Sequence, residues 1–258
     1  GVDIRRGGAH YNYTSPNAVG LANLGDSMLV IKRKIFEEKK YSMDELRGFL
    51  RSDFLGHERV RQEFLNDVPK YGNDDDEADA MARRCGEDYC IDFKRYTGYR
   101  GASFQPGLQS ISAHALFGGS LGATPDGRTK QMLVSDGGVS PAQGRDICGP
   151  TAAMLSVAKL NHLEATNGAL LNVKFHPSAV KGERGLENLC ALTDAFFGLG
   201  AQHVQYNVVD SEVLRDAQKH PEKYGDLVVR VAGFSVLFTT LDTVLQNDII
   251  ERTQHNCC

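Results

Sequence analysis

The chain has 258 residues, carries a net charge of −4, and is 41% hydrophobic and 24% charged. That composition suits one large or two ordinary globular domains. It lacks the basic excess that nucleic acid or an anionic membrane would demand. No apolar run approaches the roughly 18 residues of a membrane span, and no charged-then-apolar leader opens the sequence, so a cytoplasmic protein is expected. The opening "GVDIRRGGAHYNYTS" has no Met and reads as an entry into the middle of a larger protein.

In chain order, residues 21–70 read as helical. Leu24, Met28, Ile31 and Ile35 recur at the spacing of one helix face. Ser42 and Glu45 form an S-x-x-E capping box before "MDELRGFL". Val60, Phe64, Leu65 and Val68 mark a third short helix ended by Pro69, and "KYGNDDDEAD" is a turn into a fourth. Residues 96–150 are loop-rich, dense in glycine and proline, the kind of segment that carries sites. Helix and strand then alternate. "TAAMLSVAKL" is a helix, "ALLNVKFHP" a strand, "GLENLCALTDAFFGLG" a helix, and "HVQYNVV" a strand. "SEVLRDAQKH" is a helix, "DLVVRVAG" a strand, and "TLDTVLQNDIIERT" a final helix. Such alternation predicts an α/β arrangement with parallel pairing.

Several motifs invite functional readings that their chemistry weakens. "GATPDGRT" nearly matches a phosphate-cradling loop, but Arg128 replaces the lysine and Pro125 removes a backbone donor. "NDDDEAD" lacks the alternating spacing and central glycine of a calcium loop and reads as a solvated acidic turn. The six cysteines form no C-x-x-C pair, so no metal site is expected; Cys190 reads as core, and Cys257 and Cys258 as a frayed end. His203, Gln205 and Asn207 share one side of the "HVQYNVV" strand, opposite Val204, Tyr206 and Val208. That polar side suits a pocket wall or a face bonded to neighbouring loops, and the sequence leaves both open.

"LVVRVAGFSVLF" raises the sharpest question, because a strand wanting bulk stops on bare Gly233. A turn glycine with positive φ is one answer. Another comes from "VVRVAGFSV" together with "GGAHYNYTSPNAVGLANLGDSM", "PKYGNDDDEAD", "ATPDGR", "SPAQGRDICGPTAAMLSVAKL" and "LQNDIIERT". In this order these stretches resemble the C-terminal part of the glycyl radical enzymes, closer to the glycerol and diol dehydratase-like branch than to pyruvate formate-lyase.

The resemblance implies the C-terminal half of a ten-stranded α/β barrel plus the glycyl radical loop. Residues 1–125 would belong to the barrel and residues 126–258 to the glycine radical domain. It implies a stored radical on Gly233, where amide nitrogen and carbonyl share the spin and apolar surroundings exclude water. Arg230, Phe234 and Arg252 would support the loop, with Phe234 standing where most members carry Tyr. Phe104 would line a substrate pocket, or merely anchor a loop. A surface arginine at a helix C-terminus is the bland reading of Arg252. No cofactor would be bound. The radical would be installed by an S-adenosylmethionine-dependent iron–sulfur activating enzyme, and the full-length protein would be a homodimer acting on a small molecule. The family's thiyl cysteine sits in a G-C-x-E type loop that this chain lacks; Cys148 in "GRDICGPT" is a look-alike in a different segment. Diol dehydration leads, with hydroxyproline dehydration, C–N or C–S cleavage, decarboxylation, formate transfer or an inactive fragment as alternatives.

Overall fold

The computed structural model describes residues 1–98 and 101–256. Helix α1 (Leu21–Val30) runs on into a π-helical segment at Ile31–Glu37 and packs along α4 (Asp76–Lys94). The approach is close because Gly25 faces Ala82: a Cβ on Gly25 would stand 2.9 Å from the Ala82 Cα. The expected helix face holds in part: Ile31 and Ile35 pack against the core, but Leu24 and Met28 do not. Leu21, Ala22, Leu29 and Val30 are buried, while Leu24 and Met28 are exposed. Counting bulky residues found the more apolar stripe, but small residues decide where a second helix can come near.

Helices α2 (Met43–Arg51) and α3 (Glu58–Asn66) complete this half around Phe49, Phe54 and Phe64, with the Ser42–Glu45 capping box formed in both directions. The Asp75 side chain caps α4 by accepting from the amides of Glu77 and Ala78. The acidic turn is less solvated than expected. Lys159 Nζ sits among Asp74, Asp76 and Asp79 at 2.7, 3.0 and 2.8 Å, so the chain supplies its own cation. Among the described residues no cluster of His, Cys, Asp or Glu could hold a metal ion.

Short parallel ladders stitch distant segments together. Strand β1 (Tyr13–Thr14) pairs with β3 (Ser103–Phe104), and β2 (Asn17–Ala18) with β4 (Gly107–Leu108). The stretch read as loop-rich contains a helix, α5 (Ala113–Ser120). Further on, α6 (Gly149–Ala158) and α7 (Gly182–Gly198) flank β5 (Leu171–Phe175), which pairs in parallel with β6 (Val204–Val208) on one side and β9 (Gln254–His255) on the other. This is the α/β class expected. Cys190 on α7 is exposed, not core. Cys85, Cys90, Cys148 and Cys190 are free thiols, and Cys257 and Cys258 lie outside the described residues. No described helix is long and apolar enough to cross a membrane.

A smaller core holds the C-terminal hairpin. Val209, Leu214, Val229, Val231, Phe238, Ile249 and Ile250 are buried together where α8 (Ser211–Lys219) and α9 (Thr243–Glu251) back onto β7 (Val228–Arg230). Alternation along β7 turns Val229 and Val231 inward and leaves Val228 exposed, as one-sided burial of a strand requires.

Candidate radical site at the C-terminal hairpin

Strand β7 pairs antiparallel with β8 (Ser235–Leu237), with Arg230 opposite Ser235. The Val231 N–H donates to the Phe234 carbonyl at 3.0 Å, so residues 231–234 form the connecting turn. Gly233 sits in its third position with φ of +84°. That is left-handed backbone, which glycine adopts freely and side chains resist. An added Cβ would meet only Leu170 Cδ1, at 3.7 Å, so conformation rather than crowding favours glycine. The turn-glycine expectation therefore holds at this position.

The hairpin is held from behind by β6. Asn207 accepts from the Arg230 N–H and donates to the Arg230 carbonyl, both at 2.8 Å, mimicking a strand partner. Gln205 Oε1 accepts from the Gly233 N–H at 3.0 Å and from Arg230 Nε at 3.0 Å. Gln205 and Asn207 are both buried, while Val204 and Tyr206 are half-buried and Val208 is exposed. The polar side of "HVQYNVV" is thus the more deeply covered one at Gln205 and Asn207, whose amides meet hairpin backbone, the Arg230 guanidinium and Asn172. It is a face bonded to a neighbouring loop, and that loop carries Gly233.

Arg252 follows the last turn of α9 and is buried to 6% exposure, which removes the surface reading. Its Nη1 donates to the carbonyls of Arg230 and Val231 at 3.3 and 3.0 Å. Nε pairs with Asp136 at 3.0 Å, and Nη2 with Asp248 at 2.7 Å. Asp248 also meets His114 Nε2 at 3.1 Å and Gln143, tying α5 and the 136–146 loop to the same point. Burial alone would raise the Asp248 carboxyl, but the Arg252 charge and the His114 hydrogen bond hold it down at about 2. Lys174, buried on β5, donates to Ser211 Oγ and to the carbonyls of Ile249 and Ile250 at the end of α9. Burial and the nearby Arg252 and Arg215 charges bring its amine down to about 8.

Of the residues singled out in the sequence, Gly233, Arg230 and Arg252 come together. Phe234 lends its backbone to the turn and leaves its ring partly exposed. Phe104 packs on Phe93 and Tyr96 with ring centroids 5.9 and 6.5 Å apart, as a loop anchor would. Gly233 itself is exposed in this chain, contrary to the expected apolar enclosure: the described residues support the hairpin from one side and leave its tip open. Asp136, Asn172, His114 and Lys174 gave no signal in the sequence. Asp248 gave one, since it lies four residues before Arg252 on a helix.

The near-match to a phosphate loop is resolved by Arg128, which is buried and donates to the carbonyls of Gly118, Gly122, Thr129 and Met132. A guanidinium so engaged cannot receive a phosphate. Cys148 is exposed at the start of α6, and its N–H donates to Asn73 Oδ1 at 3.0 Å.

The site is thus a tight turn with a positive-φ glycine, clasped by buried amides and a buried arginine. Residues 135–239 match the family model of the glycine radical, and residues 1–118 that of pyruvate formate lyase-like proteins; the chain belongs to the glycyl radical enzyme family. It superposes on the B12-independent glycerol dehydratase from Clostridium butyricum with a TM-score of 0.94 and 50% identity, over 97% of this chain and 32% of that one. Hydroxyproline dehydratase from Clostridioides difficile gives 0.93 and 41%, over 98% and 32%. The probable dehydratase YbiW of Escherichia coli (strain K12) is 42% identical over 98% of this chain and 32% of its own length. The chain thus spans about a third of the length of the relatives it matches.

Proposed function

We propose that this chain carries the stored radical of a glycyl radical lyase, and that the whole enzyme dehydrates a small diol of the glycerol or propane-1,2-diol type. The observation behind the radical assignment is the Gly233 turn, whose N–H is held by Gln205 and whose Arg230 and Val231 carbonyls are held by Asn207, Asn172 and Arg252. The choice of diol rests on similarity: the glycerol enzyme and the 1,2-propanediol enzyme of Roseburia inulinivorans are 50% and 46% identical to this chain. The hydroxyproline enzyme, at 41%, supports a second substrate class with the same loss of water.

In this reading an activating enzyme that uses S-adenosylmethionine and an iron–sulfur cluster takes one hydrogen atom from the Gly233 Cα. The C–H bond breaks homolytically, and the hydrogen passes to the activator's organic radical. The glycyl radical later takes a hydrogen atom from a cysteine S–H, and the resulting thiyl opens the substrate reaction. That cysteine is not assigned to Cys148. Residues 1–125 act as barrel and residues 126–258 as the radical domain of a homodimer. Arg230, Phe234 and Arg252 support the loop.

The test is oxygen. Dioxygen adds rapidly to a carbon radical, and a peroxyl at a backbone Cα cuts the chain there. Full-length protein activated anaerobically, its organic radical first confirmed by electron paramagnetic resonance, is expected to lose the segment after Gly233 on exposure to air. Unactivated protein stays whole. An intact chain in the aerated, radical-bearing sample refutes the assignment to Gly233. A panel of glycerol, propane-1,2-diol and trans-4-hydroxyproline then decides the substrate.

A further inference from the structure

Two glycines from separate segments leave room for one leucine. Gly137 and Gly233 both have left-handed backbone, with φ of +67° and +84°, and the Leu170 side chain reaches toward each. A Cβ on Gly137 would come 2.7 Å from the Leu170 carbonyl oxygen and 3.3 Å from its Cδ2. A Cβ on Gly233 would meet Leu170 Cδ1 at 3.7 Å and, its own chain neighbours aside, no other atom within 4 Å. The backbone of Leu170 is fixed on both edges. Its N–H donates to the Leu108 carbonyl at 3.1 Å, and its carbonyl accepts from the Val139 N–H at 3.1 Å. Gly138 permits that approach, because a Cβ there would collide with the Leu108 carbonyl. The glycine pair in "DGGVSPAQ" therefore serves packing: bare backbone lets the segments close up around Leu170.

Leu170 is 2% exposed, while Gly233 is exposed. On the side facing this chain, the Gly233 Cα is thus covered by one packed methyl group. A carbon radical makes that contact consequential. Dioxygen adds to such a centre on encounter and dissolves readily in apolar cavities, so apolar surroundings alone do not exclude it. Packing without voids does, because a close-packed interior leaves few gaps larger than a water molecule. We infer that Leu170 is the wall that closes the inner side of the Gly233 radical against dioxygen and water. The inference rests on Gly233 being the radical carrier.

The test uses full-length enzyme, activated anaerobically, as wild type, Leu170→Met and Leu170→Ala. Its glycine carries ¹³C at Cα and its leucine carries deuterium on the δ-methyls. Leu170 Cδ1 lies within about 5 Å of the Gly233 Cα, since a C–C bond adds about 1.5 Å to the 3.7 Å contact. Electron–nuclear double resonance is expected to show a weak deuterium coupling from that range in wild type. Leu170→Met keeps the volume but carries no label, and is expected to lose the coupling. A wild-type radical without it overturns the inference, as does a coupling undiminished in Leu170→Met.

Oxygen supplies the second readout. Leu170→Ala leaves a cavity beside the Cα, and the oxygen-dependent part of its radical decay is expected to be about tenfold faster than in wild type. Leu170→Met conserves volume and is expected to stay within about twofold. An Ala variant decaying at the wild-type rate overturns the inference. Should Leu170→Ala fail to activate, the deuterium comparison of wild type with Leu170→Met decides alone. A wild-type radical split by ¹³C but lacking the deuterium coupling overturns this inference only. A radical without ¹³C splitting overturns the assignment to glycine, and this inference with it.

Discussion

Replacing Arg252 by Met would test how the hairpin is held. Met preserves most of the buried stem and deletes only the guanidinium, so little cavity is created. What remains is two carboxylates, Asp136 and Asp248, at 5% and 0% side-chain exposure, while the Arg230 and Val231 carbonyls keep Asn207 and Asn172 as donors. Breaking a buried ion pair by removing one partner costs roughly 3–5 kcal/mol, because the remaining charge stays buried. Asp248 keeps His114 and Gln143, and Asp136 keeps Asn172, which places the loss near the lower end, about 3 kcal/mol. For a chain of this size each kcal/mol moves the melting temperature by about 2–4 °C, so a drop of about 6–12 °C is expected in thermal circular dichroism. Adding Asp248→Asn to the Met variant should recover part of it, since one orphaned charge is then gone. A drop below about 2 °C would refute the reasoning: Arg252 would then behave as a screened surface arginine.

Other expectations follow from the same contacts. Gly233→Ala should fold with a loss of about 1 kcal/mol, because φ is positive but no atom is crowded, and should show neither the organic radical nor the air-induced cut; electron paramagnetic resonance and mass spectrometry check this. Asp26 is buried, and its carboxyl is pushed up to about 7 chiefly by that burial, against the opposing charge of Lys70. A carboxyl raised in the folded state stabilises fully below its unfolded value, and that contribution fades as pH climbs to about 7. Denaturation at pH 4 through 8 should therefore show a downward slope that Asp26→Asn flattens. The purified 258-residue chain should turn over no substrate, and Cys148→Ser should change nothing; turnover abolished by that substitution would reassign the thiyl role.

Much of this architecture was legible because it depends on local signals. The Ser42–Glu45 box, the "HVQYNVV" strand and the α8 and α9 periodicities each fix structure within a few residues. Glycine at 233 was legible twice over, as a turn residue and as a family signature. What failed was long-range. The inward face of α1 depends on Gly25 meeting Ala82, 57 positions along the chain, and no periodicity encodes that. The clasp on the hairpin brings Gln205, Arg252 and Asp248, each with some signal in the sequence, together with Asp136 and Asn172, which are unremarkable in their own segments. His114 lies on a helix read as loop, so its contact with Asp248 had no foothold in the sequence.

The parallel pairing of β9 with β5 gives the position of Gly233 along the chain a consequence of its own. Everything that latches the turn from the far side, Asp248, Arg252 and the β9 edge, is encoded after it. A backbone break at Gly233 would leave Gln205 and Asn207 on one piece and put Asp248, Arg252 and the outer strand beside β5, which covers Lys174 and the Phe175 edge, on the other. The lesion would be one-way: the two pieces could re-dock only as separate molecules, and a single covalent scission would become loss of an entire sheet margin.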